Sequence, residues 1–331
     1  MKKLTIIAEI GINHNGSLRL AKKLVDKAKL CGADYVKIQN YIPDDIVTKS
    51  APKAKYQLEK NKNEKMFSML KKYHFNFYKT LELIKYCKKR NIKFLSSPFD
   101  NTSFNFLKKQ QLSLIKIPSG EITNFLLLKS IAKYKKKIIL STGMANLVEV
   151  KKTINFLKDN GLSKKKITLL HCTSQYPTLP KDVNLESMLT LKKKFNTNIG
   201  LSDHTKGFEA SICAVYLGAN VIEKHLTLNN KMKGPDHKTS LEPKEFQMFV
   251  KCLRNTKFIS GSSKKRATSQ EIKLAKLVRK RVVAKTNIIK NEIFSLNNIT
   301  TKRSDKGTDA SKYFNLINKR AKKNYKIDQP I

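Results

Sequence analysis

A chain of 331 residues that is 40% hydrophobic exceeds one average domain and has enough apolar side chain for a core, which excludes global disorder. Its formal net charge of +43 would ordinarily suggest nucleic acid. The excess is almost wholly lysine, a poorer reader of base edges than arginine, and no interleaved aromatic stripe offers a stacking platform.

Lysines recur instead on the polar sides of helical patterns, as at Lys22, Lys23, Lys27 and Lys29, so the charge reads as a solvated surface that helps attract anionic substrates. No apolar run approaches the ~18–20 residues of a membrane span. The opening, Met1-Lys2-Lys3 and then Leu4 to Ile7, starts like a signal peptide. Glu9, Asn13 and His14 interrupt it, and no small-residue cleavage site follows. The expectation is a cytoplasmic protein that binds neither membrane nor nucleic acid. Cys31, Cys87, Cys172, Cys213 and Cys252 show no Cys-x-x-Cys spacing, and four of them fall in apolar patterns typical of small buried hydrophobes. Neither a disulfide framework nor a zinc site is expected.

In chain order, eight short β-branched or aliphatic runs alternate with helical patterns: Thr5–Ile10, Tyr35–Ile38, Lys93–Leu95, Leu114–Ile117, Lys137–Leu140, Thr168–His171, Asn198–Leu201 and Asn220–Glu223. Their spacing, mostly ~25–30 residues, is the period of a strand–helix unit. Near-continuous apolar character suits parallel strands covered by helices. Leu20, Leu24 and Ala28 line one face of the first helical segment, and Leu83 and Cys87 mark a face of the third. Gly32, Gly161 and Gly218 follow helix ends, where positive φ is wanted. Eight such units in series predict an α/β fold, a (β/α)8 TIM barrel, over residues 1–260.

One connection is longer than the rest. Pro43 to His74, including Tyr56 and Met66, reads either as a lid or substrate-binding loop or as a solvated insertion. After Phe258 a Ser-Gly-Ser-Ser-Lys-Lys stretch suggests a linker, assigned to 261–275. Ser269–Val278 looks helical, and strand-like runs follow at Arg281–Ala284 and Ile288–Phe294. Residues 276–331 are enough for a small β-rich second domain.

Placed side by side, the C-terminal strand ends give Glu9 and Asn13; Lys37 and Gln39; Ser97; Lys116, Ser119 and Glu121; Ser141 and Thr142; His171 and Ser174; Ser202, Asp203 and His204; and Glu223, Lys224 and His225. An ordinary barrel fills such positions with Val, Ile and Leu, so this set describes a polar, anion-seeking pocket. Lys37 and Lys116 would be costly to bury unpaired. An anionic ligand or a carboxylate such as Glu9 must answer them, and a ligand is the favoured reading. Ser97 and Ser119 equally suit helix caps. A lone histidine is usually a satisfied core residue. His204 and His225, at matching strand ends with Asp203 and Glu223 nearby, favour a shared divalent ion such as Mn²⁺ or Mg²⁺.

These residues together resemble the sialic acid synthase family. The resemblance rests on Ala8-Glu9-Ile10-Gly11-Ile12-Asn13-His14-Asn15-Gly16, Val36-Lys37-Ile38-Gln39, Ser97-Pro98-Phe99-Asp100, Lys116-Ile117-Pro118-Ser119-Gly120-Glu121 and Ser141-Thr142-Gly143-Met144. It continues through Leu170-His171-Cys172-Thr173, Leu201-Ser202-Asp203-His204, Glu223-Lys224-His225 and Gly234-Pro235-Asp236-His237. The tail from Arg281-Val282-Val283-Ala284 to Thr301-Lys302-Arg303 is similar to the family's C-terminal antifreeze-like (SAF) domain.

The resemblance implies condensation of phosphoenolpyruvate with N-acetylmannosamine and water, with C–O cleavage and release of phosphate, to give N-acetylneuraminate. The alternative within the family is a diacetamido-trideoxyhexose acceptor, giving legionaminate or pseudaminate. A catalytically dead barrel that binds anions or nucleic acid through its surface lysines is the rival from another class. By the same resemblance His204 and His225 hold the metal, Glu9 stabilises charge at carbon 2 or steers water, and Lys37, Ser97, Lys116, Ser119, Ser174 and Ser202 hold phosphoenolpyruvate. Gln39, Glu121, Tyr176 and Asp236 contact the sugar. Arg303 enters from the second subunit of a domain-swapped homodimer. The chain departs from the pattern at Ser174, where some members have Asn, at Leu226, where Phe is common, and at Arg303-Ser304-Asp305, which lacks the usual Pro-Gly turn.

Overall fold

A computed structural model describes residues 4–53 and 65–331; Met1, Lys2, Lys3 and Tyr56 lie outside them. The chain divides into two compact units, Met1–Gly261 and Ser262–Ile331.

In the first unit eight strands form one parallel sheet: β1 (Thr5–Gly11), β2 (Tyr35–Asn40), β3 (Lys93–Pro98), β4 (Leu114–Ile117), β5 (Lys137–Ser141), β6 (Ile167–Cys172), β7 (Asn198–Asp203) and β8 (Val221–His225). Hydrogen-bonded order runs β3-β2-β1-β8-β7-β6-β5-β4, and β3 lies beside β4, so the sheet curls into a nearly closed TIM barrel.

Strand alternation decides what each face carries. Ile7, Leu95, Ile139, Leu170 and Val221 form an apolar plug inside the barrel. Two residues further along each of those strands stand Glu9, Ser97, Ser141, Cys172 and Glu223, all buried. Side chains of opposite phase, such as Ala8, Ile38, Ile117, Leu140, Leu201 and Ile222, face outward and are fully or nearly fully buried under helices. Burying a Leu or Ile of this kind contributes about 1.5–3 kcal/mol. Gly200 lets β7 and β8 approach, because a Cβ there would lie 2.0 Å from the Val221 carbonyl oxygen.

The helices form from local signals. In α1 (Leu18–Leu30) the Ser17 side chain caps the Leu20 N–H, and Ala21, Leu24, Val25 and Ala28 are buried, with Leu20 only partly so. Gly32, at φ +85°, turns the chain back toward β2. The long second connection contains α2 (Pro43–Ile46) and α3 (Met66–Tyr73), followed by α4 (Phe77–Lys89). Then come α5 (Asn101–Lys109), α6 (Phe125–Lys133), α7 (Leu147–Asp159), α8 (Glu186–Phe195), α9 (Glu209–Tyr216) and α10 (Pro243–Ile259). No helix among the described residues is long and apolar enough to cross a membrane.

Cys31, Cys87 and Cys172 are buried, but Cys252 is half-buried and Cys213 exposed, against the expectation of four buried thiols. Helix α9 is apolar nearly all round, so periodicity could not say which side faces inward.

In the second unit α11 (Ser269–Val278), closed by a Thr268/Glu271 capping box, occupies much of the stretch read as linker. Strands β9 (Lys280–Ala284) and β10 (Ile299–Arg303) pair antiparallel, Ala284 opposite Ile299 and Lys280 opposite Arg303. No second strand forms over 288–294; Ile288 and Phe294 instead join Val282, Ala284, Ile299, Ala321 and Tyr325 in a small core.

Candidate active site

The C-terminal mouth of the barrel opens into a cavity of about 470 Å³. Glu9, Lys37, Gln39, Ser97, Lys116, Ser119, Glu121, Ser174, Tyr176, Ser202, His204, His225 and Asp236 all line it. One wall comes from the long second connection: Ile46, Val47, Met66, Met69 and Leu70. Arg303 belongs to the second unit and is exposed at the end of β10.

The floor is an alternating charge network. Lys37 Nζ lies 2.6 Å from Glu9 Oε2 and 3.6 Å from Glu223 Oε1, and donates to Ser97 Oγ at 3.2 Å. Lys116 Nζ and Ser202 Oγ each donate to Glu223 Oε1 at 3.1 Å. Gln39 Nε2 donates to Glu9 Oε1 at 3.2 Å. The two lysines are therefore paired with protein carboxylates, one of the two kinds of partner the sequence allowed. Glu223, absent from the list of expected binding residues, joins both. Its phase with His225 on β8 was a signal that it points inward.

Burial pushes both carboxylates up, but their partners divide them. Glu9 rises to about 7, burial and the Glu223 charge outweighing Lys37. Glu223 falls to about 2, because Lys116 and Lys37 together overcome burial. Burial lowers Lys37, yet Glu223 and Glu9 hold it above its ordinary value. Lys116 is lowered by burial, with Lys37 adding like-charge repulsion. The floor is thus poised near electrical balance rather than bare and cationic.

The histidines stand together at the rim of β7 and β8, ring centroids 5.7 Å apart. His204 Nδ1 faces the Thr173 carbonyl at 2.8 Å, and a carbonyl can only accept. That fixes the proton on Nδ1 and leaves Nε2 toward the Tyr176 hydroxyl at 3.0 Å. Burial lowers His204, but the adjacent Cys172 outweighs it and raises the imidazole. His225 is held well below its usual value by burial and by His204. Its Nδ1 is buried without a hydrogen-bond partner, 3.8 Å from Asp236 Oδ2. Burial raises Asp236 to about 6. Two neighbouring imidazoles with a carboxylate beside one of them are donor types that suit a divalent cation. Among the described residues no three His, Cys, Asp or Glu side chains are grouped so as to hold a metal ion by themselves.

Asp203 and Lys224 do not join the pocket, contrary to their placement among the strand-end residues. They face outward and pair with each other at 3.1 Å, each 1% exposed at the side chain. His171 also points outward, its Nε2 2.6 Å from the Val183 carbonyl oxygen. Ser119 neither caps a helix nor stands free: its Oγ accepts from the Gly143 N–H at 3.0 Å. A Cβ at Gly143 would lie 2.4 Å from Ser174 Oγ, so glycine is needed for the two serines to share that corner. Glu121 Oε2 accepts from Asn124 Nδ2 at 2.7 Å at the outer edge.

The chain is 49% identical over 332 residues to an N,N'-diacetyllegionaminic acid synthase of Campylobacter jejuni, covering 100% of this chain and 99% of that one. It is 35% identical to a pseudaminic acid synthase of the same species, covering 100% and 96%. Among solved structures, an N-acetylneuraminic acid (sialic acid) synthetase of Leptospira borgpetersenii in complex with citrate is 34% identical, with a TM-score of 0.72 over 82% of this chain and 91% of that one. The description NeuB family matches residues 24–265, and the chain belongs to that family.

Proposed function

We propose that the chain condenses phosphoenolpyruvate with a diacetamido-trideoxyhexose and water, releasing phosphate and a legionaminate-type nine-carbon acid. The observation that carries this acceptor is the 49% identity, over the full length, to a protein named for diacetyllegionaminate. N-acetylmannosamine remains the second reading, supported by the fold likeness to a sialic acid synthetase.

In this reading Lys37, Lys116, Ser97, Ser119, Ser174 and Ser202 are preorganised donors for the phosphate and carboxylate of phosphoenolpyruvate. An arriving anion competes with Glu9 and Glu223 for Lys37 and Lys116, which leaves the Glu9 carboxylate facing the substrate. Carbon 3 of the enol phosphate attacks the sugar's aldehyde carbon, and water adds at carbon 2. The C–O bond to phosphate then breaks. Glu9 lies at the floor, where it can stabilise positive character at carbon 2 or orient the water. Gln39, Glu121, Tyr176 and Asp236 hold the acceptor. His204 and His225 hold a divalent ion, Mn²⁺ or Mg²⁺, which supplies Lewis acidity toward the aldehyde oxygen when bound. Arg303 of a second subunit meets the acceptor's N-acetyl end in a domain-swapped homodimer whose small unit is an SAF domain.

The test is phosphate release with phosphoenolpyruvate, Mn²⁺ and a panel of acetamido sugars, with product mass. Turnover is expected with the diacetamido-trideoxyhexose. No phosphate with any acetamido sugar overturns the enzyme reading, and exclusive use of N-acetylmannosamine overturns the acceptor.

A further inference from the structure

Only Glu9 of the motif running from Ala8 to Gly16 is used by the chemistry above, yet Ile10 to His14 are buried as well and the turn 13–16 is bonded to its neighbours. Asn13 is 2% exposed, and its Nδ2 donates to the Leu226 carbonyl at 3.0 Å and to Ser240 Oγ at 2.8 Å. Ser240 Oγ in turn donates to the Asp236 carbonyl at 2.6 Å. Asn15 Nδ2 donates to the Lys233 carbonyl at 3.1 Å, and its Oδ1 faces His237 Nε2 at 3.3 Å. The turn after β1 thus grips the β8–α10 loop on both sides of Asp236.

Its other flank meets the end of the long second connection and the start of α4. The His14 ring packs on Phe75 with centroids 4.4 Å apart, and Lys79 Nζ donates to the Gly16 carbonyl at 2.8 Å. A Cβ at Gly16 would meet the Lys72 carbonyl oxygen at 3.2 Å. One short turn therefore touches both loops that form the acceptor end of the pocket, and none of its side chains beyond Ile12 lines the cavity.

We propose that the turn 13–16 is a keystone for acceptor recognition, with Asn13 and Ser240 as positioning residues that act through Asp236. The proposal rests on the acceptor end assigned above. Hydrogen bonds between buried side chains and loop carbonyls hold a loop in one arrangement far better than surface contacts do. Losing the relay frees the Asp236 carboxylate from its place above Gly11, where a Cβ would meet its Oδ2 at 3.5 Å. Phosphoenolpyruvate binding, built on β2, β3, β4 and β7 and on the loops after β4 and β6, does not pass through this turn.

The test uses Ser240→Ala, which removes one small hydroxyl, and Asn13→Asp, which keeps the shape but not the donors. Wild-type turnover is measured first, because its absence with every acetamido sugar refutes the acceptor reading itself. With a turning-over wild type, Ser240→Ala should raise KM for the acceptor about tenfold and leave KM for phosphoenolpyruvate within about twofold. In an Asp236→Ala background the same change should have no further effect on acceptor KM. Equal shifts in both KM values, or an undiminished effect in that background, overturn the relay. Independently of turnover, hydrogen exchange in Asn13→Asp should quicken across 226–241 and spare β4 to β6. Unchanged exchange in 226–241 overturns the keystone whatever the substrate proves to be.

Discussion

The outward-facing pair Asp203–Lys224 gives the sharpest stability prediction. Asp203 Oδ2 accepts from Ser211 Oγ at 2.5 Å and pairs with Lys224 Nζ at 3.1 Å, while Oδ1 accepts from the Thr205 N–H and hydroxyl at 2.8 and 2.7 Å. Lys224 Nζ also donates to the Thr205 carbonyl at 2.7 Å. In Asp203→Asn the ammonium stays buried without a counter-charge, and one face of the amide turns donors toward it. Breaking such a pair from one side costs about 3–5 kcal/mol, a large fraction of a typical total of about 5–15 kcal/mol. Lys224→Met is milder, about 1–3 kcal/mol, because Asp203 keeps its bonds from Thr205 and Ser211. The double variant should then be more stable than the sum of the two losses by about 2 kcal/mol or more. Urea unfolding followed by far-ultraviolet circular dichroism reads this in a chain with no tryptophan. A loss below about 1 kcal/mol in Asp203→Asn, or strictly additive losses, would refute the reasoning.

Three further outcomes are expected. Burial, helped by Lys79, lowers His14 to about 3, so between pH 6.5 and 3 the unfolded chain binds a proton that the folded chain refuses, and stability falls with pH. Compared with His14→Gln, the wild type should lose about 2 kcal/mol more between pH 7.5 and pH 5; parallel curves would remove His14 as the cause. Gly143→Ala forces a Cβ to 2.8 Å from Ser119 Oγ and closer still to Ser174 Oγ, and should cut kcat/KM for phosphoenolpyruvate about tenfold or more without lowering Tm by more than a few degrees. An unchanged kcat/KM would show that this corner does not hold the substrate. Mixing Arg303→Ala with Glu9→Ala subunits should restore part of the activity, and confirmed heterodimers without activity would count against Arg303 crossing between subunits.

Much of the fold was legible because it depends on near-neighbour chemistry. Apolar runs at a repeating interval mark covered parallel strands, and side-chain alternation sends Glu9, Lys37, Ser97, Lys116 and His225 to one end of the interior. Alternation also carried a warning that proximity in sequence hides. If Ser202 and His204 face inward, Asp203 between them faces out, and so does Lys224 between Glu223 and His225. Polar residues next to the histidines were thus separable into pocket and exterior by phase alone. Cys213 was not separable, since an almost uniformly apolar helix has no phase to read.

What the sequence by itself determined is the barrel, the end that carries the chemistry and the residue types gathered there. Only the tertiary structure decided who answers whom. Glu223 joins Lys37 and Lys116 from a strand more than a hundred positions away, turning an expected cationic pocket into a balanced one. Asn13 meets Ser240 across 227 positions because β1 and β8 are neighbours once the sheet curls. Periodicity fixes which way a side chain points along its own strand. Its partner is set by barrel closure, which brings the two ends of the chain's first unit edge to edge.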